Sequence, residues 1–242
     1  MGEPRDYRHW IKDIDLVAFH AVEKETDLYI RAISNLQRKA KKSIVRWRSS
    51  LESYIERHPE FLTALEPLDM TPDAPQIVRE MIDVSTSVGI GPMAAVAGAI
   101  AERVGKDLLP FSSEVIVENG GDIFLRSSKL RRVGIYAGES PFTGKLALEI
   151  GPKKEGLGIC TSSGTVGHSF SYGRADAVVV IAPSASLADA TATAVCNMVR
   201  TVEDVPAAIH FAEGISAVIG GLVIKGDKLG AWGEVKLCST EG

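Results

Sequence analysis

From Ala177 to Ile181 every side chain is apolar. A short segment with no polar alternation reads as a strand buried on both faces. Upstream of it the hydrophobic period is two. Val115, Val117, Ile123, Leu125, Val133, Ile135, Leu146 and Leu148 mark a set of short antiparallel strands from Glu114 onward. Other segments have helical spacing. Leu36, Ala40, Ile44, Trp47, Leu51 and Tyr54 recur at three- and four-residue steps and predict a long amphipathic helix that His58-Pro59 ends. Further helices are expected around Pro75 to Val84, Pro92 to Val104, Leu187 to Met198 and Val205 to Phe211. Alternation in Ile14 to Arg31 predicts an N-terminal hairpin. A last hairpin is expected from Ala217 to Lys225, a Gly226-Asp227 turn, and Leu229 to Leu237. The fold class is α+β, antiparallel strands packed with helices.

The 242 residues suit one domain, with the hairpin and helix at 13–57 and a core at 75–242. A net charge of -4 leaves no nucleic-acid footprint. The helix face bearing Arg38, Lys39, Lys41, Lys42, Arg46 and Arg48 reads as a solvated face or an anion contact. No apolar run follows the polar N-terminus, and Val88 to Ala101 is too short to span a bilayer, so no membrane role is expected. Cys160, Cys196 and Cys238 lie far apart without a CxxC pair, which fits reduced thiols in a cytoplasm.

Four segments have chemistry to offer. Glu118-Asn119-Gly120-Gly121-Asp122 lies between two strand patterns. Its glycines permit φ > 0, so it makes a tight hairpin, and they also let backbone approach a ligand flanked by the Asn119 amide and the Asp122 carboxylate. Gly89 to Ala99 opens a helix with Pro92 near its start. Either its N-terminus binds a diphosphate, or Ala94, Ala97, Gly98 and Ala101 form a small-residue packing face. Cys160-Thr161-Ser162-Ser163-Gly164-Thr165 ends a strand with hydroxyls that suit a phosphate or flavin edge, or simply a turn. In the helix that follows the buried strand, Asp189 and Thr193 are one turn apart, a donor set for a hard cation such as Mg²⁺. The alternative is a capping box of Ser186 with Asp189. His168, in a Gly/Ser-rich loop, is the candidate proton carrier.

Together these segments resemble ApbE, the FAD:protein FMN transferase superfamily. Asn119-Gly120-Gly121-Asp122 is similar to its N-x-G-G-[ND] turn, and Thr161 to Gly164 to its A-T-S-G strand end. Val180-Ile181-Ala182-Pro183-Ser184 running into Ala188 to Thr193 is similar to its V-I-A-P-S-A…A-D-A-L-A-T block. The whole chain is more similar still to a cytosolic branch of that superfamily. Shared stretches there are Glu25 to Leu28, Gly91 to Ala101, Thr161 to Ser169 and Gly173 to Val178. The resemblance implies a T-fold-like architecture, with Asp189 and Thr193 holding Mg²⁺ beside a backbone carbonyl near Val96. It also implies FAD or another flavin nucleotide as ligand, held by Asn119, Gly120, Gly121, Asp122, Thr161, Ser162, Ser163 and Gly164, and FMN transfer as the activity, with His168 standing for the histidine of H-x-x-D-P-x-T-G. The chain has Val96-Ala97-Gly98 where the transferases have I-A-K-G, and Tyr172-Gly173 where they have T-G. A flavin- or nucleotide-binding module without transfer chemistry is therefore an alternative. A homo-oligomer built on the small-residue helices, with no ligand, is another.

Overall fold

A computed structural model describes residues 13–166 and 172–240, and His168 lies outside the described residues. The N-terminal hairpin forms as expected, with β1 (Val17–Glu23) and β2 (Thr26–Ala32) joined through Lys24, whose φ of 50° closes the turn. The long helix α1 (Gln37–Arg57) buries Ala40, Ser43, Ile44, Leu51 and Tyr54, the predicted stripe plus one serine, and packs Trp47 partly. Its basic face is partly engaged. Arg46 pairs with Asp107, Arg48 with Glu25 and Glu52, and Lys41 with Glu23, and the Lys39 ammonium lies over the Phe111 ring, while Arg38 and Lys42 face solvent.

A single turn, α2 (Glu60–Thr63), was not anticipated. It is followed by α3 (Gln76–Val88), which Gly89 stops in the left-handed region at φ 81°. The expected helix from Pro92 divides into a tight turn, Pro92–Ala95, and α4 (Val96–Leu108). The strands β3 (Val115–Asn119), β4 (Asp122–Ser127), β5 (Arg131–Gly134), β6 (Leu146–Ile150), β7 (Lys153–Ser162) and β8 (Ala177–Ala182) follow. The chain then forms α5 (Ala185–Met198), α6 (Val205–Glu213), β9 (Gly220–Lys225), β10 (Lys228–Gly233) and β11 (Leu237–Ser239).

Eight strands make one sheet in the order β1-β2-β3-β4-β7-β8-β9-β10, and β11-β6-β5 make a second. Every pairing is antiparallel. The last hairpin is shorter than expected. Its second arm ends at Gly233, and Leu237 belongs to β11, which pairs with β6 in the other sheet.

The period of two sorts side chains into two cores. Val115, Val117, Phe124, Cys160, Val178, Val180 and Val223 face the helices. Ile116, Ile123, Leu125, Ile159, Val179, Ile181 and Leu222 face the small sheet. The wholly apolar β8 therefore has an apolar layer on each side, which is why it lacks alternation. Two glycines of α4, one face apart by seven residues, set the distance to its neighbours. A Cβ on Gly98 would overlap the Ala185 carbonyl of α5, and one on Gly105 would overlap the Phe124 ring of β4. The small-residue face that suggested an oligomer contact is used at Gly98 for packing inside the chain. Among the described residues no single helix is long and apolar enough to cross a membrane.

Candidate functional site

The turn between β3 and β4 is two residues long, with Gly120 at φ 68° and Gly121 at φ 111°. Both angles are open to glycine and costly for most other residues, so the hairpin reading holds. The turn also sets direction. Asn119 lies two residues beyond Val117, and Asp122 two before Phe124, so both point to the helix side of the sheet. There the Asn119 amide donates to the Ala97 carbonyl in the first turn of α4 at 3.1 Å.

Asp122 is buried opposite Cys160 of β7. Its Oδ1 has no hydrogen-bond partner among the described residues. Burial raises its carboxyl to about 7, the negative charge of Glu118 adds to the rise, and the Cys160 thiol and the Thr161 N–H oppose it.

Asp189 comes to the same place from α5. The capping box with Ser186 does not form. Ser184 caps α5, accepting from the Leu187 N–H at 3.2 Å, while Ser186 donates to Glu80 at 2.9 Å. Asp189 instead caps a different helix. Its Oδ2 accepts from the Gly98 N–H of α4 at 2.8 Å, with the Ala97 N–H also contributing. The first turn of α4 leaves amides without intrahelical partners, and a carboxylate there is worth about 0.5–2 kcal/mol. The sequence offered a helix N-terminus at Gly91-Pro92 to a diphosphate, but α4 itself begins at Val96, and there an acidic side chain takes the Gly98 amide. Gly91 is not open to a ligand either, since its N–H donates to the Leu65 carbonyl at 2.9 Å and a Cβ would overlap the Ala64 carbonyl.

Burial, then the charge of Asp122, pushes the Asp189 carboxyl well above the usual range, against the pull of the Gly98 and Ala97 amides. Two mutually repelling carboxyls thus sit between α4, α5 and the β3–β4 turn, and the cysteine beside them feels both. The Cys160 thiol donates to the Ala185 carbonyl at 3.2 Å, and burial, then Asp122 and Asp189, keeps it protonated. Thr193, one turn beyond Asp189, is half-buried. Among the described residues no three His, Cys, Asp or Glu side chains converge as a metal cluster.

The hydroxyl run divides by face. Ser162 is buried and, by alternation with Cys160, lies on the helix side with the two acids. Thr161 takes the other face, paired with Val179. Ser163 shapes the turn, its Oγ accepting from the N–H groups of Thr165 and Val166 at 3.1 and 3.0 Å. Gly164 donates to the Ala175 carbonyl at 2.9 Å, and a Cβ there would overlap the Gly173 carbonyl. Asp176 ties this turn to the β9–β10 turn through Thr165 Oγ1 at 3.1 Å and the Gly226 N–H at 2.6 Å. Sequence reasoning did not assign a role to Cys160 beside the acids or to the Asp189 link with α4. The first could be found only from the β4–β7 register, the second only from the packing of α4 on α5.

A helix layer thus packs on an antiparallel sheet, with the raised carboxyls of Asp122 and Asp189 buried between them. Residues 8–212 match the family model described as "AbpE bacteria", and the chain belongs to this ApbE-like family. It is 42% identical over 201 residues to the UPF0280 protein of Methanococcus aeolicus, covering 81% of each chain. It is 40% identical over 236 residues to the UPF0280 protein of Methanopyrus kandleri, covering 94% of this chain and 95% of that one. The fold is similar to that of the flavin transferase ApbE from Vibrio cholerae, with a TM-score of 0.60 at 15% identity over 90% of this chain and 96% of that one. The Pseudomonas stutzeri flavinyl transferase ApbE is similar as well, with a TM-score of 0.59 at 14% identity over 90% and 93%. At such identity the likeness speaks for the fold.

Proposed function

We propose that the protein binds a flavin nucleotide, or a closely related dinucleotide, together with Mg²⁺, in the space between α4, α5 and the β3–β4 turn. The observation that carries this reading is the buried Asp122 Oδ1, without a hydrogen-bond partner among the described residues, near a second raised carboxyl, Asp189. A buried acid with no cation nearby is costly unless it stays protonated or a positive charge arrives. The Asp189 carboxylate, the Thr193 hydroxyl and backbone carbonyls would make a small hard-oxygen donor set. That set suits Mg²⁺, which keeps places for water and phosphate oxygens, and suits it better than a metal needing an all-protein cage.

Asp189 and Thr193 would hold the cation, with a carbonyl of the Val96–Ala97 turn. When bound, the cation would neutralise diphosphate charge and polarise phosphorus. The other roles belong to the chain. Asp189 fixes the α4 terminus while presenting its second oxygen. The Ala97 carbonyl holds the Asn119 amide group, so its side-chain oxygen is oriented to accept from a ribityl or ribose hydroxyl. Asp122, raised to about 7, keeps a protonated fraction near neutrality that can donate to a ligand acceptor. The Gly120–Gly121 backbone and the Ser162–Gly164 turn wall the ligand in, and His168 is the proton carrier.

Binding without transfer is the second reading. One observation favours it: position 98, in the stretch where the transferases place a lysine, cannot carry a side chain, because the Ala185 backbone lies against it.

The test is thermal unfolding with Mg²⁺, with FAD and with both, in the parent chain, Asp189→Asn and Thr193→Val. Asparagine keeps an acceptor for the Gly98 N–H, so that variant should fold. The expected result is stabilisation by the pair of ligands in the parent, lost in both variants. Equal ligand stabilisation in all three proteins sinks the metal assignment. Conversion of FAD by the parent separates transferase from binding module.

A further inference from the structure

Asp189, Thr193 and Asn197 follow one another at four-residue steps on α5, so they form a single stripe on that helix. The stripe runs from the interior outward: Asp189 is buried, and Thr193 and Asn197 are half-buried. At its outer end the Asn197 side-chain oxygen accepts from the backbone N–H of Tyr172 at 2.8 Å. The next residue, Gly173, lies so close to α5 that a Cβ would overlap the Cys196 carbonyl. On its other side the Gly173 carbonyl occupies the space where a Cβ of Gly164 would be. The backbone at 172–173 is thus clamped between the end of α5 and the Ser162–Gly164 turn, the two segments that border the acid pair. The Tyr172 side chain is 66% exposed. An aromatic ring left in water on a fixed backbone costs little entropy to engage and offers a flat apolar face.

From these observations we infer that Tyr172 is the stacking wall for the planar ring of the ligand, and that Asn197 is the positioning residue that holds it there. The inference rests on the reading of the acid pair as the Mg²⁺–phosphate end of the site. Asp189 to Asn197 spans about 12 Å along the helix at 1.5 Å per residue. A sugar or sugar-alcohol spacer between a phosphate and a ring covers that kind of length. The stripe then orders the ligand: phosphate at the buried end, spacer past Thr193, ring at the mouth against Tyr172. The substrate class is a phosphorylated molecule that carries a heteroaromatic ring, and a bare polyphosphate would use only the inner half.

The experiment is calorimetric titration, with Mg²⁺ present, of FMN, ADP and inorganic pyrophosphate into the parent chain, Tyr172→Ala, Tyr172→Phe and Asn197→Ala. Tyr172→Ala should weaken FMN, ADP or both by about tenfold or more, the scale of one ring stacked on an aromatic side chain. Pyrophosphate affinity should be unchanged. Tyr172→Phe should retain the ring preference, and Asn197→Ala should lose part of it without moving pyrophosphate. Bound FMN should be less fluorescent in the parent and in Tyr172→Phe than in Tyr172→Ala. Unchanged FMN and ADP affinity in Tyr172→Ala overturns the inference alone. A parent chain that binds none of the three overturns the reading of the acid pair, and this inference with it.

Discussion

Two of the places where the chain buries acidic groups are treated in opposite ways. At the base of β5, Arg131 is 3% exposed and is surrounded by Asp13, Asp15 and Glu114 at 2.7–3.0 Å. Hydrogen bonds from Arg131 and Lys129 hold the Asp15 carboxyl far below its ordinary value. Burial raises Glu114, but the bonds from Ser127, Ser128 and Arg131 outweigh it and hold the group at about 2. Between α4 and α5 the sign is reversed. Burial raises both Asp122 and Asp189, the charge of Glu118 adding to the first and that of Asp122 to the second, and among the described residues no basic side chain pairs with either. The first cluster is complete within the chain and binds residues 13–15 to β5. The second has no basic side chain to neutralise it among the described residues, and it is there that the proposed cation would bind. The sign of the shift separates carboxyls neutralised within the fold from carboxyls left without a cation.

The largest expected effect breaks the first cluster. Arg131→Met leaves Glu114 and Asp13 buried without their guanidinium and should cost about 3–5 kcal/mol at neutral pH, read from urea unfolding. Glu114 has a depressed pKa when folded, so its contribution is present above its ordinary value of 4.5 and is lost as pH falls toward about 2. The penalty of the variant should therefore shrink on acidification below about pH 4. An equal penalty at pH 7 and pH 3 would show that packing, rather than charge, dominates at Arg131.

Next in size is Gly98→Ala, which forces α4 from α5 at the Ala185 carbonyl. A loss of about 1–3 kcal/mol is expected, together with weaker Mg²⁺ binding, because Asp189 can no longer reach the Gly98 N–H unchanged. Full stability in this variant would mean that the helices tolerate the added methyl.

Asp122→Asn addresses the second cluster directly. The folded-state pKa is raised to about 7 from 3.8, so without ligand the folded chain loses stability as pH rises from about 4 to 7, and the loss levels off above that. The variant should be more stable than the parent at pH 8 by at least about 1 kcal/mol, and equal to it near pH 4. Saturating Mg²⁺ should flatten the pH dependence of the parent. A parent whose stability does not fall over that interval would remove the raised carboxyl from the account.

The smallest effect on the fold belongs to Thr193→Val. Its stability without ligand should stay within about 0.5 kcal/mol of the parent, while stabilisation by Mg²⁺ is lost. If that stabilisation survives, Thr193 is not a ligand.

Much of the site was legible one segment at a time. Gly120-Gly121 predicted a turn because only glycine takes both of its angles readily, and the turn fixed the direction of Asn119 and Asp122. The stripe of α1 was legible because its period is local. β7 was legible only at its end. Gly156 and Gly158 interrupt its pattern, and they are glycines because the Phe124 ring and the start of α5 press on them. The role of Asp189 could not be read from its helix. Local rules offered a cap on α5, and the carboxylate caps α4 at an amide 91 residues away.

By itself the sequence determined the periods, the turns, the apolar strand at Ala177 to Ile181 and the family. The tertiary structure alone decided which acids are neutralised. Periodicity and turn chemistry depend on neighbours along the chain, whereas the charge state of a buried carboxyl depends on what packs against it in space. Arg131 packs against one group of acids, and among the described residues no basic side chain packs against Asp122 or Asp189.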